Sequence, residues 1–253
     1  MSEDRQGTYV YGVTRAGTTL DALEDAKTEV PEVSLLEVGD LAAIVSDAPA
    51  DDEGATRDAV LAHAQVLAAA VKNAAVVPMR FGIVFPNDEA VQKELLEERR
   101  DELTELLDKF DSVVEMLLKV YYREDAILRQ LVEGDPEIAR LREAIRQGPE
   151  EATYNERVRL GELVNAAIER RREEDASELM DRLKPLVADS AIEEVEKEFM
   201  VLNAPFLVER DRLEEFEGTL ESVAEDRLKL MSFKLLGPMP AYHFIDLEEA
   251  AWA

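Results

Sequence analysis

The apolar residues of the first part of the chain follow strand and helix periods in turn. The pattern predicts a strand at 8–13, a short helix at 20–27, a hairpin of strands at 33–38 and 41–46, a helix at 56–72 and a strand at 76–77. Gly39-Asp40 between the hairpin strands is typical of a tight antiparallel turn. Thr56 is the predicted cap of the longer helix, and the predicted apolar face of that helix consists of Val60, Ala64, Leu67 and Val71.

The second part of the chain starts with its clearest strand pattern, at 112–122, after a helix predicted from Asn87-Asp88 to about Phe110. The later elements are predicted as helices at 135–147 and 152–186, strands at 192–197 and 204–208, a helix that starts from the capping-box pair Asp211 and Glu214, and a closing strand at 228–236. Arg170-Arg171-Arg172, followed by Glu173-Glu174-Asp175, is interpreted as a solvated helix face.

This order of elements predicts an α+β protein with two ferredoxin-like α/β domains, because strand, helix, hairpin, helix and strand follow one another in the first part. The second domain is predicted to carry an inserted antiparallel helical hairpin. The predicted boundaries are 1–110 for the N-terminal domain with its linking helix, 111–236 for the C-terminal domain with the insertion at about 124–188, and 237–253 for a C-terminal tail that packs back on the body.

One nearly uncharged stretch, residues 76–86, stands out in a sequence that is 34% charged. It predicts a buried strand that runs into an apolar loop: Pro78 favours an extended residue before it, Gly82 permits a turn, and Pro86 closes the segment. Arg80 lies at its centre, and a buried guanidinium needs an acceptor. Two interpretations are open: Arg80 ties the loop to nearby carboxylates or carbonyls, or it belongs to a docking surface with its apolar neighbours.

The charge balance is strongly acidic, with 57 Asp and Glu against 29 Lys and Arg, and a formal net charge of −28. A field of this sign repels phosphate backbones and anionic headgroups, so nucleic acid and membrane surfaces are poor partners. Salt screens such self-repulsion, since the Debye length falls to about 3 Å at 1 M. We therefore expect a protein adapted to a salt-rich cytoplasm.

Residues suited to catalysis or metal binding are few. The chain has no Cys and two His, His63 and His243, without the spacing of a zinc site. His63 is expected at the edge of a core and His243 in packing contacts. Carboxylates are so frequent that their pairing carries no information about acid–base catalysis. We expect no enzyme activity, no catalytic residue, no metal and no cofactor.

The N-terminus, Met1-Ser2-Glu3-Asp4, lacks the basic start and apolar run of a signal peptide. No stretch approaches 18 consecutive apolar residues, which a membrane-spanning helix would need. We therefore expect a cytoplasmic protein.

Four segments together resemble one known family. Pro78-Met79-Arg80-Phe81-Gly82-Ile83-Val84-Phe85 is similar to the Pro-Leu-Arg-Phe-Gly-Thr-Val-Phe signature of the gas vesicle protein F/L family (GvpF/GvpL). The segments at 8–13, 115–121 and 237–244 follow in the family's order, so the resemblance spans almost the whole sequence. The last departs from the usual Gly-Pro-Trp-Pro-Pro-Tyr pattern, with Met239 for Trp and Ala241 for Pro.

The resemblance implies an assembly factor and minor structural component of gas vesicles. Its implied partners are the small, very hydrophobic shell protein, which it helps to nucleate or chaperone, and other gas vesicle accessory proteins. The expected partner-binding residues are Arg80, Phe81, Phe85, Tyr242 and Phe244.

Two other function classes stay open from the residues alone. A small-molecule-binding regulatory module of ferredoxin-like architecture would need a concave pocket with converging polar groups. The second of these classes is a hydrolase that relies on carboxylates and a bound metal.

Overall fold

A computed structural model describes residues 7–20, 31–48, 56–149, 152–195 and 197–245. It shows a mixed α+β protein with two antiparallel sheets, which confirms the predicted class. The strands are β1 (Thr8–Arg15), β2 (Ser34–Val38), β3 (Leu41–Asp47), β4 (Val77–Pro78), β5 (Val84–Phe85), β6 (Val113–Tyr122), β7 (Asp189–Ser190), β8 (Met200–Glu209) and β9 (Met231–Met239). The helices are α1 (Arg57–Asn73), α2 (Asp88–Ala90), α3 (Arg100–Lys109), α4 (Glu124–Gly134), α5 (Pro136–Gln147), α6 (Tyr154–Leu183) and α7 (Leu213–Glu225).

The first sheet is organised around β1. Its order is β2-β3-β1-β4, and β5 also pairs with β1. The predicted hairpin of β2 and β3 is present, with Gly39 at a φ of 63° in its turn. A register shift between Val10 and Gly12 marks a bulge in β1 opposite β3. The predicted helix at 20–27 and the loop after Asp47 lie largely outside the described residues.

Helix α1 begins as predicted, with the Thr56 side chain accepting from the Ala59 N–H. Its predicted apolar face is wrong in part, because Val60 is 42% exposed and Ala64 is also exposed. The buried face consists of Ala62, His63, Val66, Leu67, Ala69, Ala70 and Val71. Alanines fill much of it, and in an alanine-rich helix the pattern of large apolar residues marks the buried side poorly.

The helix predicted from Asn87 to Phe110 is interrupted. Asn87 caps α2, which continues as a π-helical segment, Val91–Glu97, before α3 starts at Arg100. The Glu98 N–H donates to the Lys93 carbonyl five residues back, a geometry that adds a residue to the turn.

The second sheet has the order β7-β8-β6-β9. The predicted strand at 192–197 is wrong: residues 191–195 have no regular structure, and Ile192 is 64% exposed. The N–H groups of Ala191 and Glu193 donate to the carbonyls of Pro205 and Asn203, but Pro205 has no N–H to return a bond, so the ladder here is incomplete.

The closing strand β9 lies three residues later than predicted, because hydrogen bonds to the Arg227 carbonyl hold residues 227–231 in a turn. The strand therefore runs on to Met239, into residues that were expected to begin the C-terminal tail. A Cβ on Gly237 would lie 2.8 Å from the Glu115 carbonyl oxygen, so the close approach of these strands needs glycine.

The helical region between β6 and β7 holds three helices, not the predicted hairpin of two, since α4 precedes α5. Asp135 caps α5 with Pro136 at its first position, as predicted. The predicted capping box before α7 is absent: Asp211 lies within a 3-10 turn, Arg210–Arg212, and the cap residue Arg212 makes no capping side-chain bond.

Part of the predicted solvated face of α6 is buried. Asp175 is 4% exposed and accepts from the Tyr122 hydroxyl at 2.7 Å and from Arg171 Nε at 2.9 Å. Burial, followed by this bond to a carboxylate, raises the pKa of Tyr122. The acidic and basic run thus ties α6 to β6.

Contacts divide the chain into two units. Unit 1 takes the described residues of 1–116, 207–210 and 236–253, and unit 2 takes those of 117–206 and 211–235. The predicted linear boundaries after residues 110 and 236, and the description as two ferredoxin-like domains, stay predictions.

Within unit 1, Arg210 donates hydrogen bonds to backbone carbonyls that are far from it in the sequence. The Arg210 guanidinium donates to the carbonyls of Val71 and Ala74 at 2.7 and 3.0 Å, at the end of α1, and to that of Asp111 at 3.2 Å. A cation at a helix C-terminus satisfies open carbonyls and complements the helix dipole.

A chain of hydrogen bonds centred on His63 fixes the loop between β4 and β5. The Met79 carbonyl can only accept, so His63 Nε2, at 3.2 Å from it, carries the proton. Nδ1 then accepts from the Tyr9 hydroxyl at 2.8 Å, and the Tyr9 oxygen accepts from the Gly82 N–H at 3.1 Å. Burial lowers the pKa of His63, while the bond to Met79 opposes that shift.

Removal of the buried carboxylate of unit 2 should destabilise the protein. We expect Asp175→Ala to lower the free energy of unfolding by about 2–3 kcal/mol, because the Tyr122 hydroxyl loses its acceptor and Arg171 its partner. Urea denaturation measures the change. Glu173→Ala, at an exposed position of the same helix, should change it by less than about 0.5 kcal/mol. Equal effects of the two substitutions would contradict the buried role of Asp175.

The stability of the protein should depend on pH through His63. The pKa of the folded state is lowered from about 6.5, so below that pH the unfolded chain binds a proton that the folded state resists. Stability is therefore lost as the pH falls from about 6.5 towards the lower pKa of the folded state. In this range His63 changes the free energy of unfolding by up to about 1.4 kcal/mol per pH unit.

The test compares slopes in urea denaturation between about pH 7.5 and 5.5, where carboxylates contribute equally to each variant. We expect a shallower slope for His63→Gln than for the native chain. Tyr9→Phe keeps the imidazole and should keep most of the slope. If the free energy of unfolding of His63→Gln changes with pH as steeply as that of the native chain, His63 does not titrate in this range.

Candidate functional site

An aromatic cluster lies beneath the loop that the sequence singled out. Tyr9 and Tyr11 project from the same face of β1, with ring centroids 4.8 Å apart. His63 stacks on Tyr11 at 5.3 Å, and Phe81 lies edge-on to Tyr9 and His63 at 6.1 and 5.7 Å. These offset and edge-to-face arrangements stabilise aromatic groups beyond the area they bury.

The hydroxyl groups of the cluster are not set up for proton transfer. Burial raises the pKa of Tyr9 to about 12, and burial also raises that of Tyr11, which bonds Ser46 Oγ at 3.2 Å. Both phenols therefore stay protonated at neutral pH, and neutral His63 uses both ring nitrogens in hydrogen bonds. The expectation that His63 lies at the edge of a core is confirmed by its burial.

Two short pairings on one edge of β1 hold the loop outward. β4 pairs with β1 at Gly12 and Val13, and β5 pairs with β1 at Thr8 and Tyr9. Between these pairings Gly82 adopts a φ of 93°, a left-handed conformation that glycine permits. We call the outward residues Arg80, Phe81 and Val84 the β4–β5 surface.

The side chain of Arg80 is exposed, so the expectation of a buried guanidinium is wrong. Residues 75–79 are all buried, and the exposed part of the chain begins at Arg80, after the end of β4. Phe81 is half-buried because one part of its ring contacts the aromatic cluster.

Val84 was missed by sequence reasoning, although it is 46% exposed. It lies between Ile83 and Phe85, which are half-buried and pack against the core of unit 1. The alternation of inward and outward residues in a strand gives this result once β5 is recognised. Phe85, expected at the partner surface, therefore directs much of its side chain inward.

The C-terminal segment also packs on unit 1. Ala241 and Ile245 are buried with Phe110, Val113 and Leu207, and Phe244 is half-buried against them. Phe244, like Phe85, thus has a packing role in addition to any exposed area.

A buried carboxylate holds this segment in place. Glu115 is fully buried in β6 and accepts from the His243 backbone N–H at 3.0 Å and from His243 Nδ1 at 2.6 Å. His243 was expected in packing contacts, and its partner Glu115 was missed because the two residues are 128 positions apart in the sequence. Burial, then the charges of Glu115 and Tyr9, raise the pKa of the half-buried Tyr242.

The structure therefore brings the two sequence-predicted stretches to a common neighbour. Phe81 contacts the Tyr9 ring, and Tyr242 lies close enough to Tyr9 for the two phenols to influence each other electrostatically. Arg80, Phe81 and Val84 offer one cation and apolar area side by side, a combination suited to protein binding.

Within the described ranges, no group of His, Cys, Asp or Glu side chains is arranged to hold a metal ion. None of the helices in that part of the chain has the length and apolar character needed to cross a bilayer.

Comparisons with known proteins identify the family. The model of the family described as "Gas vesicle synthesis protein GvpL/GvpF" matches residues 7–246. Gas vesicle protein F of Streptomyces sp. (strain CB03234) is 36% identical over 241 residues, which cover 94% of this chain and 99% of the relative. Gas vesicle protein L of the same strain is 30% identical over 264 residues, which cover 98% and 96%.

The fold is also that of a solved structure. The crystal structure of the gas vesicle protein GvpF from Anabaena sp. PCC7120 superposes with a TM-score of 0.74 at 22% identity, covering 94% of this chain and 98% of the other. The family model spans nearly all of the sequence, and the relatives align over almost their full length. The chain belongs to the GvpL/GvpF family of gas vesicle synthesis proteins.

Proposed function

We propose that this protein is a gas vesicle assembly factor and minor structural component that binds the hydrophobic shell protein in the cytoplasm and at the vesicle. Family membership supports the gas vesicle role. The observation that carries the binding role is the β4–β5 surface, which presents an apolar side chain on a chain of net charge −28. Other accessory proteins of the vesicle are further proposed partners, and the role requires no catalysis.

In this proposal the apolar area binds the shell protein, and the negative charge keeps the complex soluble. Complete burial of a valine side chain contributes about 1.5 kcal/mol, so burial of the 46% of Val84 that is exposed contributes about 0.7 kcal/mol, and the half-buried Phe81 ring adds area beside it. The bound shell subunit would otherwise expose apolar surface and strand edges that aggregate. The negative charge of the rest of the chain keeps such a complex soluble.

The β4–β5 surface leads the proposed contact set because it contains two exposed side chains, those of Arg80 and Val84. Arg80 is exposed and Phe81 and Tyr242 are half-buried, and Val84 joins them on the strength of its exposure. Phe85 and Phe244 are proposed to contribute only the part of each ring that does not face the core.

We expect Val84→Asp to weaken capture of the shell protein by about tenfold, because a carboxylate replaces the apolar contact. Arg80→Glu should also weaken capture without unfolding the chain. The measurement is the amount of shell protein that co-purifies with the tagged, co-expressed chain in high salt.

Val158→Asp is the matched control. Val158 has the same side chain and the same exposure of 46%, but it lies on α6 of unit 2. Equal loss of capture in the two valine variants would overturn the assignment of the surface. If Arg80→Glu lowers the thermal midpoint while its folded fraction binds as the native chain does, Arg80 is structural.

We also propose that the protein is adapted to a salt-rich cytoplasm, as its net charge of −28 suggests. The thermal midpoint should rise steeply as salt increases from about 0.05 to 1 M, where the Debye length falls from more than 10 Å to about 3 Å. Thermal unfolding and light scattering across this series measure the effect. A chain that stays fully folded, monodisperse and equally stable in low salt would contradict the adaptation.

A further inference from the structure

An apolar groove lies between α4, α5 and α6 of unit 2, remote in sequence from the β4–β5 surface. Its volume is about 650 Å³. The described lining residues are Asp125, Leu128, Arg129, Val132, Ile138, Arg142, Leu160 and Val164. Ile138 forms its buried floor, whereas Leu128, Val132, Leu160 and Val164 remain half-buried. Three packed helices thus leave apolar side chains in contact with solvent.

The rim of the groove carries a net positive charge, whereas the net charge of the whole chain is negative. Arg129 and Arg142 outnumber Asp125, although the whole protein has a net charge of −28. Neither guanidinium has a hydrogen bond or a salt bridge within 4.0 Å to a described residue. Arg142 interacts with the charge of its neighbour Glu143, but the hydrogen bonds of Glu143 go to Arg146 and Gln147. Two arginines are therefore available to carboxylates from outside the chain.

The basic residues of this helical region are also of one type. Residues 124–183 contain ten Arg and no Lys, in a chain with 20 Arg and nine Lys. Arginine binds carboxylates through a planar fork and is enriched at protein interfaces, whereas lysine is depleted there. The composition agrees with a surface that binds an acidic partner.

The shape of the groove suits a helix. Asp125, Leu128 and Val132 lie along one face of α4 over seven residues, about 10 Å at 1.5 Å per residue. That length spans two helical turns, which matches anchors at positions i, i+3 or i+4, and i+7 of a docked helix. A fourth helix would bury the accessible apolar side chains in the manner of a helical bundle.

We propose that this groove binds an amphipathic helix of a partner protein, with apolar anchors in the groove and flanking carboxylates on Arg129 and Arg142. The site is separate from the proposed shell-protein surface in unit 1, and it extends the function to a second class of partner. Loss of one binding activity therefore leaves the other measurable.

Two synthetic helical peptides of about 18 residues provide the probes, a length that supports helix formation in isolation. Both carry leucines at i, i+4, i+7 and i+11; one has Glu at the flanking positions and the other has Lys. The long-range field of the protein attracts the Lys peptide and repels the Glu peptide. At about 0.5 M salt the Debye length is roughly 4 Å, so close pairs dominate over that field.

Fluorescence anisotropy with the full chain should show that the Glu peptide binds about tenfold more tightly than the Lys peptide. Arg142→Glu should remove this preference, and Val132→Asp should weaken both peptides. The matched controls are Arg140→Glu, on the same helix but outside the lining, and Val158→Asp on α6; both should bind as the native chain does.

Equal binding of both peptides, tighter binding of the Lys peptide, or no binding of either would overturn the proposal. Sedimentation of the native chain and of Val132→Asp tests whether a second copy of the chain occupies the groove instead of a partner helix. If the native chain self-associates and this variant does not, the groove holds a second copy of the chain, and the partner assigned here is wrong.

Discussion

The geometry of unit 1 depends on how closely its neighbours approach β1. This strand is buried along almost its whole length and pairs with β3 on one edge and with β4 and β5 on the other. A Cβ at Gly12 would lie 2.8 Å from the Val77 carbonyl oxygen and 3.0 Å from Leu67, so only glycine allows β4 and α1 to pack here. The pairing of β4 and β5 with the same strand fixes where the loop between them leaves and rejoins the sheet. Hydrogen bonds from His63 to the Met79 carbonyl and from the Gly82 N–H to Tyr9 hold this loop in one conformation.

The buried carboxylates in the described part of this protein are held by hydrogen-bond donors. Carboxylates cover the surface, and those that enter the interior have defined partners: Asp175 accepts from Tyr122 and Arg171, and Glu115 accepts from His243. A buried carboxylate without such donors would cost several kcal/mol. Single apolar residues such as Val60, Tyr154 and Ile192 are exposed elsewhere on the surface, so exposure alone does not mark a binding site. Val84 and the α4–α6 groove differ from them in having an arginine and further apolar area beside them.

The sequence was most informative where one local rule decided the structure. Gly39-Asp40 specified the β2–β3 turn, Thr56 the start of α1 and Asp135-Pro136 the start of α5, because a turn or a cap depends on adjacent residues. Prediction failed where the structure of a segment or the burial of a residue depends on partners that are distant in the sequence. The missing N–H of Pro205 disrupts the strand predicted at 192–197, and the burial of Asp175 depends on Tyr122. At the candidate site, the composition of residues 76–86 located the loop, but the outward direction of Val84 required the pairing of β5 with β1.

The discontinuity of unit 1 has a consequence for synthesis on the ribosome. Arg210 binds carbonyls of Val71, Ala74 and Asp111, and Glu115 receives its hydrogen bonds from His243. Residues 71–115 therefore leave the ribosome before these partners are made, and the nascent chain cannot form the bonds until residues 210 and 243 have emerged. A product truncated before residue 210 would lack this packing, and its unit 1 would stay incomplete.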